Sequence, residues 1–265
     1  MTAATPAAPD ARDFAIAVIA DVVFRRLPLD ERLERMGREA GFEALNPSDR
    51  GLARAIASSA LRGLGLIRKL LASRLAQGVP VNSGLLEAVL IAAVAQILFL
   101  DVPDYAAVNT AIDKLRADRR SDRYVRLANA VLRAIARDRA AILDRLDPLC
   151  DTTPAWLAAR WTAAYGEATA RAIAAAHLAL PPLDLSVKSD PEGWAARLGG
   201  RRMAGNTVRL TGAGNVTELD GFAEGAWWVQ DLAAALPARL LGDIAGRRVL
   251  DLCAAPGGKT AELAA

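Results

Sequence analysis

Apolar residues recur at helical spacing through the first 180 residues, and the rhythm changes only after Pro181-Pro182. Phe14, Val18 and Val22 stand four apart behind Asp10, which predicts a helix capped by the Asp10 carboxylate. Arg25 and Arg26 fall in its expected last turn, where cations suit the helix dipole. A second helix is expected over residues 30–41, stopped by Gly41. A long one follows over 48–75 behind Asn46-Pro47, with Leu52, Ile56, Leu66 and Leu70 on its apolar side. Gly63 and Gly65 would let a neighbouring element approach it closely. The run 85–100 is apolar but for Glu87 and Gln96. It is short for a membrane span and reads as a central helix buried nearly all round. Helices from Pro103 to Leu115 and over 121–146 complete an all-α bundle, residues 1–147.

A second region, 148–242, opens at Pro148. Thr153 is the expected cap of a helix with Pro154 at its first position, carrying Trp156, Leu157, Trp161 and Tyr165 and closing at Gly166. Another helix runs over 167–180. Residues 183–188 then alternate apolar and polar, a half-buried strand. A short helix from Asp190-Pro191 to Leu198 and strands over 207–210 and 226–229 make a small α+β module. Trp227 and Trp228 have two readings, stacking on bases or one core and one exposed residue by strand alternation. Residues 248–252 read as a strand, followed by a glycine turn and the opening of a helix, so 243–265 is expected to begin a βα domain.

Composition narrows this only a little. With 53% hydrophobic and 24% charged residues the chain is globular rather than disordered. A net charge of +3 permits a polyanionic partner without demanding one. Cys150 and Cys253 are the two cysteines and His177 the sole histidine. They support neither a disulfide framework nor a metal site, and a cytoplasmic protein is expected. Residues 1–9 read as a flexible tail without a signal peptide. Arg119, Arg123, Arg126, Arg133, Arg137 and Arg139 form a basic stripe interleaved with Asp122, Asp138 and Asp144. A solvated face and an RNA contact both fit it.

The turn Cys253–Lys259 carries the chemistry. A phosphate-binding P-loop would need glycine where Cys253 stands, and a dinucleotide turn needs a G-x-G-x-x-G that Pro256-Gly257-Gly258 does not supply. The remaining ligand reading is an S-adenosylmethionine loop. Small residues there let a cofactor reach free backbone N–H groups at a helix start. A plain glycine turn between strand and helix is the bland alternative.

Two stretches, residues 98–109 (Leu-Phe-Leu-Asp-Val-Pro-Asp-Tyr-Ala-Ala-Val-Asn) and 127–133 (Leu-Ala-Asn-Ala-Val-Leu-Arg), resemble the paired signatures of NusB-type RNA-binding domains. Arg12 matches an arginine these domains carry in their first helix, and the resemblance nominates Arg12, Arg25 and Arg26 for RNA contact. Arg126 and Arg133 of the stripe join them. The string Asp251-Leu252-Cys253-Ala254-Ala255-Pro256-Gly257-Gly258-Lys259-Thr260 resembles the first motif of RNA cytosine-C5 methyltransferases. Pro154-Ala155-Trp156-Leu157 and Val229-Gln230-Asp231 resemble the segment that precedes it in the bacterial rRNA enzymes. Together they point to the Fmu/Sun group.

That resemblance implies a NusB-like bundle, an α+β linker module and the first βα unit of a class I Rossmann-like methyltransferase fold. It implies S-adenosylmethionine as cofactor, with Cys253, Ala254, Ala255, Pro256, Gly257, Gly258 and Lys259 lining it. The implied activity is methylation of a small-subunit rRNA cytosine at C5 by a monomer with no membrane attachment. The family's nucleophilic cysteine lies in a Thr-Cys motif and a second in a Pro-Cys motif. Cys150 and Cys253 each follow a leucine, so no catalytic residue is assigned, and both are expected to be small buried residues. The expectation is a truncated chain, inactive alone. A free-standing RNA-binding or antitermination-like module is the alternative.

Overall fold

The computed structural model describes residues 9–212 and 214–265. Of the tail read over 1–9, all but Pro9 lies outside them. The chain divides into two units, Met1–Ala179 and Leu180–Ala265.

In the first unit, helix α1 (Ala11–Phe24) starts as its cap demands. The Asp10 carboxylate accepts from the Arg12 and Asp13 amides at 2.9 and 3.0 Å, and the Asp10 amide donates in return to the Asp13 carboxylate. Arg25 is its C-cap and Arg26 has φ 59°, so both lie beyond the last turn in which they were expected. The helix expected over 30–41 is two, α2 (Leu29–Gly37) and α3 (Ala40–Glu43). The break has an electrostatic reason. Arg32 is buried, and its guanidinium needs both Asp21 (2.5 Å) and Glu39 (2.8 Å), the latter held extended between the helices.

The helix expected over 48–75 also divides, into α4 (Pro47–Arg62) and α5 (Leu64–Arg74), at Gly63. A Cβ on Gly63 would stand 2.2 Å from the Phe99 ring, and one on Gly65 2.5 Å from the Asp151 carbonyl oxygen. Both glycines therefore permit the close contacts their positions implied. Helix α6 (Leu86–Phe99) is buried from Ala88 through Leu98, Gln96 included. It is the axis of the bundle: α1, α4 and α5 pack on it, as do α7 (Asp104–Ala117), α8 (Val125–Arg137) and α9 (Arg139–Asp144).

Residues 121–146, read as one helix, are a 3-10 turn (Asp122–Tyr124) followed by α8 and α9, broken at Asp138, whose carboxylate takes a bond from Arg74. A π-helical turn, Pro148–Thr152, is capped by Asp147. The Thr153 hydroxyl donates to the Pro148 carbonyl instead of capping α10 (Ala155–Tyr165). Gly166, φ 78°, turns the chain into α11 (Glu167–Leu178), which packs on the π turn and on α10. The division of the chain thus falls after Ala179 rather than at 147–148, because Leu149 forms a small core with Ala170 and Ala174 on α11.

The second unit holds β1 (Leu183–Val187), α12 (Pro191–Arg197), β2 (Arg201–Arg202), β3 (Thr207–Leu210), β4 (Trp227–Val229), α13 (Leu232–Arg239) and α14 (Gly258–Ala264). Its sheet is antiparallel in the order β2-β3-β1-β4, with Leu185 opposite Val208 and Val229. Leu185, Val187, Val208, Leu210 and Trp227 form an apolar core with Ala195 of α12. The other face of β1 was expected to meet solvent. Asp184 and Ser186 on it are instead buried, Asp184 against Arg209 and the start of α13.

Residues 248–252 do not form the expected strand. A strand exists only by pairing, and neither edge of this sheet, β2 or β4, hydrogen-bonds to them. Val249, Leu250 and Leu252 are 44, 80 and 86% exposed. The described residues therefore contain the glycine turn and its helix without the parallel sheet of a Rossmann-like fold.

Candidate functional site

The loop 253–259 is held at both ends by one side chain. Asp251 accepts from the Cys253 amide at 2.9 Å and from the Thr260 hydroxyl at 2.8 Å, fastening the start of the loop to the first turn of α14. Gly257, φ 114°, adopts a backbone conformation that a side chain would strain, and nothing stands within 4 Å of where its Cβ would be. Helix α14 is in turn fixed to α13 by Arg239, whose Nε donates to the buried Glu262 carboxylate at 2.7 Å.

The loop forms one wall of a cavity of about 530 Å³. Cys253, Ala254, Ala255, Pro256, Gly257, Gly258 and Lys259 all line it, so every loop residue named from sequence faces one space. The opposite wall is Trp228, Val229, Gln230, Asp231 and Ala234. Of the tryptophan pair, Trp227 is in the core and Trp228 is half-buried on this wall, as strand alternation requires. Asp231 caps α13 through the Ala233 and Ala234 amides. Gln230 is 5% exposed, and its Nε2 is buried without a hydrogen-bond partner.

These features fit a nucleoside-sized cofactor. The volume lies in the range of small-molecule sites, the loop wall is nearly free of side-chain bulk, and the wall opposite carries Gln230, whose buried Nε2 has no protein acceptor. Sequence had placed Gln230 and Asp231, by resemblance, in the segment that precedes the loop motif and had not assigned them to the site. The Asp251 tether had no sequence signal of its own.

Neither cysteine is the buried residue expected. Cys150 and Cys253 are both exposed, one in the π turn and one in the loop. The Asp147 carboxylate beside Cys150 pushes its thiol pKa up, which disfavours the nucleophilic thiolate. His177 stacks obliquely on Trp161, ring centroids 5.2 Å apart. No cluster of three or more His, Cys, Asp or Glu among the described residues could hold a metal ion. None of the described helices is long and apolar enough to cross a membrane.

The nominated arginines separate into two sets. Arg12 reaches inward, its Nε donating to the buried Gln96 at 2.9 Å, and Arg25 is paired with Asp21 at 2.8 Å. Arg26 is exposed. Arg126 and Arg133 stand together with Arg116 around a polar groove of about 510 Å³ between α7 and α8, which Asn109 and Asn129 also line. Elsewhere on the stripe, Arg137 is paired with Asp138 at 3.1 Å, while Arg123 lies over the Tyr124 ring.

Comparison with known proteins gives three findings. Residues 9–137 match the NusB family. A "Ribosomal RNA small subunit methyltransferase B" of Xanthomonas campestris pv. campestris is 34% identical over 229 residues, 82% of this chain and 51% of that protein. Its namesake in Pseudomonas syringae pv. tomato is 35% identical over 231 residues, 81% of this chain and 50% of that protein. The chain thus spans about half the length of the curated relatives it matches. Among solved structures, the crystal structure of PH0851 superposes with a TM-score of 0.58 at 20% identity, covering 98% of this chain and 62% of that one, a likeness of fold alone.

Proposed function

We propose that this chain, 34 and 35% identical to two ribosomal RNA small subunit methyltransferase B proteins of which it spans about half the length, belongs with them and supplies such an enzyme's RNA-recognising part together with its cofactor loop. The observation that carries this reading is the cavity in which all seven loop residues, Cys253 to Lys259, meet Trp228, Gln230 and Asp231. S-adenosylmethionine bound there supplies an electrophilic methyl group, and the substrate is a cytosine of small-subunit rRNA, methylated at C5. Within this chain, Ala254, Ala255, Gly257 and Gly258 keep the loop backbone open to the cofactor. Asp251 holds the loop's shape, and Lys259 places a cation at the cavity wall. RNA phosphates engage Arg126 and Arg133, the latter bonded, among the described residues, only to the neutral Asn129 at the groove. Arg12, Arg25 and Arg26 form a second, weaker contact, since Arg12 is turned inward onto the buried Gln96 and Arg25 is paired with the Asp21 carboxylate. The protein works as a cytoplasmic monomer.

Two measurements test the halves of this reading separately. Calorimetry with S-adenosylhomocysteine is expected to show saturable binding that a bulky residue at Gly257 abolishes; no binding by the native chain refutes the cofactor site. Affinity for a small-subunit rRNA fragment is expected to fall steeply with salt, and a flat response refutes the phosphate contacts. Neither Cys150 nor Cys253 sits in the Thr-Cys or Pro-Cys context that the chemistry calls for. This chain alone is therefore expected to transfer no methyl group to rRNA, and label transfer from S-adenosylmethionine would contradict that. The groove at Arg116, Arg126 and Arg133 also supports a second reading, an RNA-binding module without catalysis. Salt-dependent RNA affinity with no cofactor binding would favour it.

A further inference from the structure

The carboxamide of Gln230 is held in one orientation by a chain of donors. Arg239 Nη2 donates to the Ser186 hydroxyl at 3.4 Å, and that hydroxyl donates onward to Gln230 Oε1 at 2.9 Å. The Trp228 indole Nε1 donates to the same oxygen at 2.8 Å. A guanidinium and an indole N–H can only donate. Flipping the carboxamide would set its NH2 against the indole N–H, so the oxygen stays where it is and Nε2 faces the other way. Main-chain bonding fixes the residue as well, since its amide donates to the Asp184 carbonyl at 3.0 Å.

The side chain lies alongside the loop: its Cγ, Cδ and Nε2 all stand 3.7 Å from where a Cβ on Gly258 would be, the residue lines the cavity, and Nε2 has no protein acceptor. Buried donors without partners are rare in folded proteins and costly to keep. Here the network spends both lone pairs of the oxygen and leaves the nitrogen, on a side chain that lines the cavity, without a protein acceptor.

We infer that Gln230 is a cofactor-binding residue, its Nε2 donating a hydrogen bond to an acceptor of the S-adenosylmethionine held against residues 253–259. The inference rests on the cofactor reading above. Its rival is a water molecule shared between Nε2 and Glu262 Oε2, the other buried atom of this network without a partner.

The test is calorimetric titration of the full chain with S-adenosylhomocysteine, using Gln230→Glu and Gln230→Met, each checked for fold by near-ultraviolet circular dichroism. The glutamate variant keeps an oxygen for Ser186 and Trp228 but loses the donor. At pH 8 both variants are expected to bind about tenfold more weakly or worse, the loss of one hydrogen bond to a charged or polar acceptor. Relative to the native chain at each pH, Gln230→Glu is expected to regain affinity towards pH 5, as its carboxyl takes up a proton it can donate. A purely structural role would not produce that recovery. Native-like affinity in both folded variants, with only a lowered melting temperature, is the result of the shared-water rival and overturns the inference. Absence of binding by the native chain overturns the cofactor reading itself, and this inference with it.

Discussion

Asp184 serves three donors at once. Arg209 gives it two bonds, at 2.6 and 2.7 Å, and the Leu232 amide a third at 3.1 Å, while its side chain is only 2% exposed. The Arg209 guanidinium first, and then the Leu232 amide, hold its pKa below the ordinary carboxylate value against the opposing effect of burial. The folded-state value therefore lies below the unfolded one. The stabilisation is complete above about pH 5, where the unfolded carboxylate is almost wholly ionised, and is lost as pH falls through the folded value. Urea unfolding of Leu180–Ala265, followed by tryptophan fluorescence, is expected to show Asp184→Ala losing about 3 kcal/mol at pH 7 and a smaller difference near pH 2. On the bundle, Arg126→Ala and Arg133→Ala are each expected to weaken RNA binding and to lower the salt slope by about one unit, without changing sequence preference. Alternation along residues 183–188 marked Asp184 and Ser186 as polar positions but could not say that a helix covers them. Their partners Arg209, Gln230 and Arg239 stand 25 to 53 residues away, a pairing that only the folded chain displays.

Elements were legible where their signals are local. Asp10 caps α1, Pro103 precedes α7, and the apolar run 86–99 has no other use than as a buried helix. The breaks at Gly63 and Asp138 were not, because apolar spacing continues across both; the Phe99 ring lies against the first and the Arg74 guanidinium bonds to the second, partners that only the folded chain displays. Strand β2 is two exposed arginines and exists by pairing with β3; residues 248–252 have strand-like composition and lack a partner. The Gly63 contact yields a direct test. Gly63→Ala is expected to cost the bundle roughly 1–3 kcal/mol, since the ring must move, and Phe99→Leu in the same chain to restore part of it. Thermal unfolding of the single and double variants measures this; equal losses in both would show that the ring is not the obstacle.

At the scale of the molecule, one unit carries the NusB family match and the other carries the loop 253–259 and its cavity. The family resemblance is carried by short strings, residues 98–109, 127–133 and 251–260, of which only the last has a chemistry readable from its own residues. Asp251→Ala is expected to leave RNA affinity unchanged while lowering S-adenosylhomocysteine affinity severalfold, since only the loop loses its tether. Loss of both affinities together, measured on one preparation, would count against this division of labour. The fully buried α6 has a consequence for how the protein is made. Synthesis proceeds from the N-terminus, so α6 emerges from the ribosome before α7, α8 and α9 emerge to cover it. For as long as the following 45 or so residues take to be translated, about a few seconds at ordinary rates, the nascent chain presents an uncovered apolar rod that only α1, α4 and α5 can shield. Chains stopped at Val102 are expected to aggregate or to be held by chaperones, and chains stopped at Ala179 to be released soluble. The helix that anchors the finished bundle is thus its greatest hazard during translation.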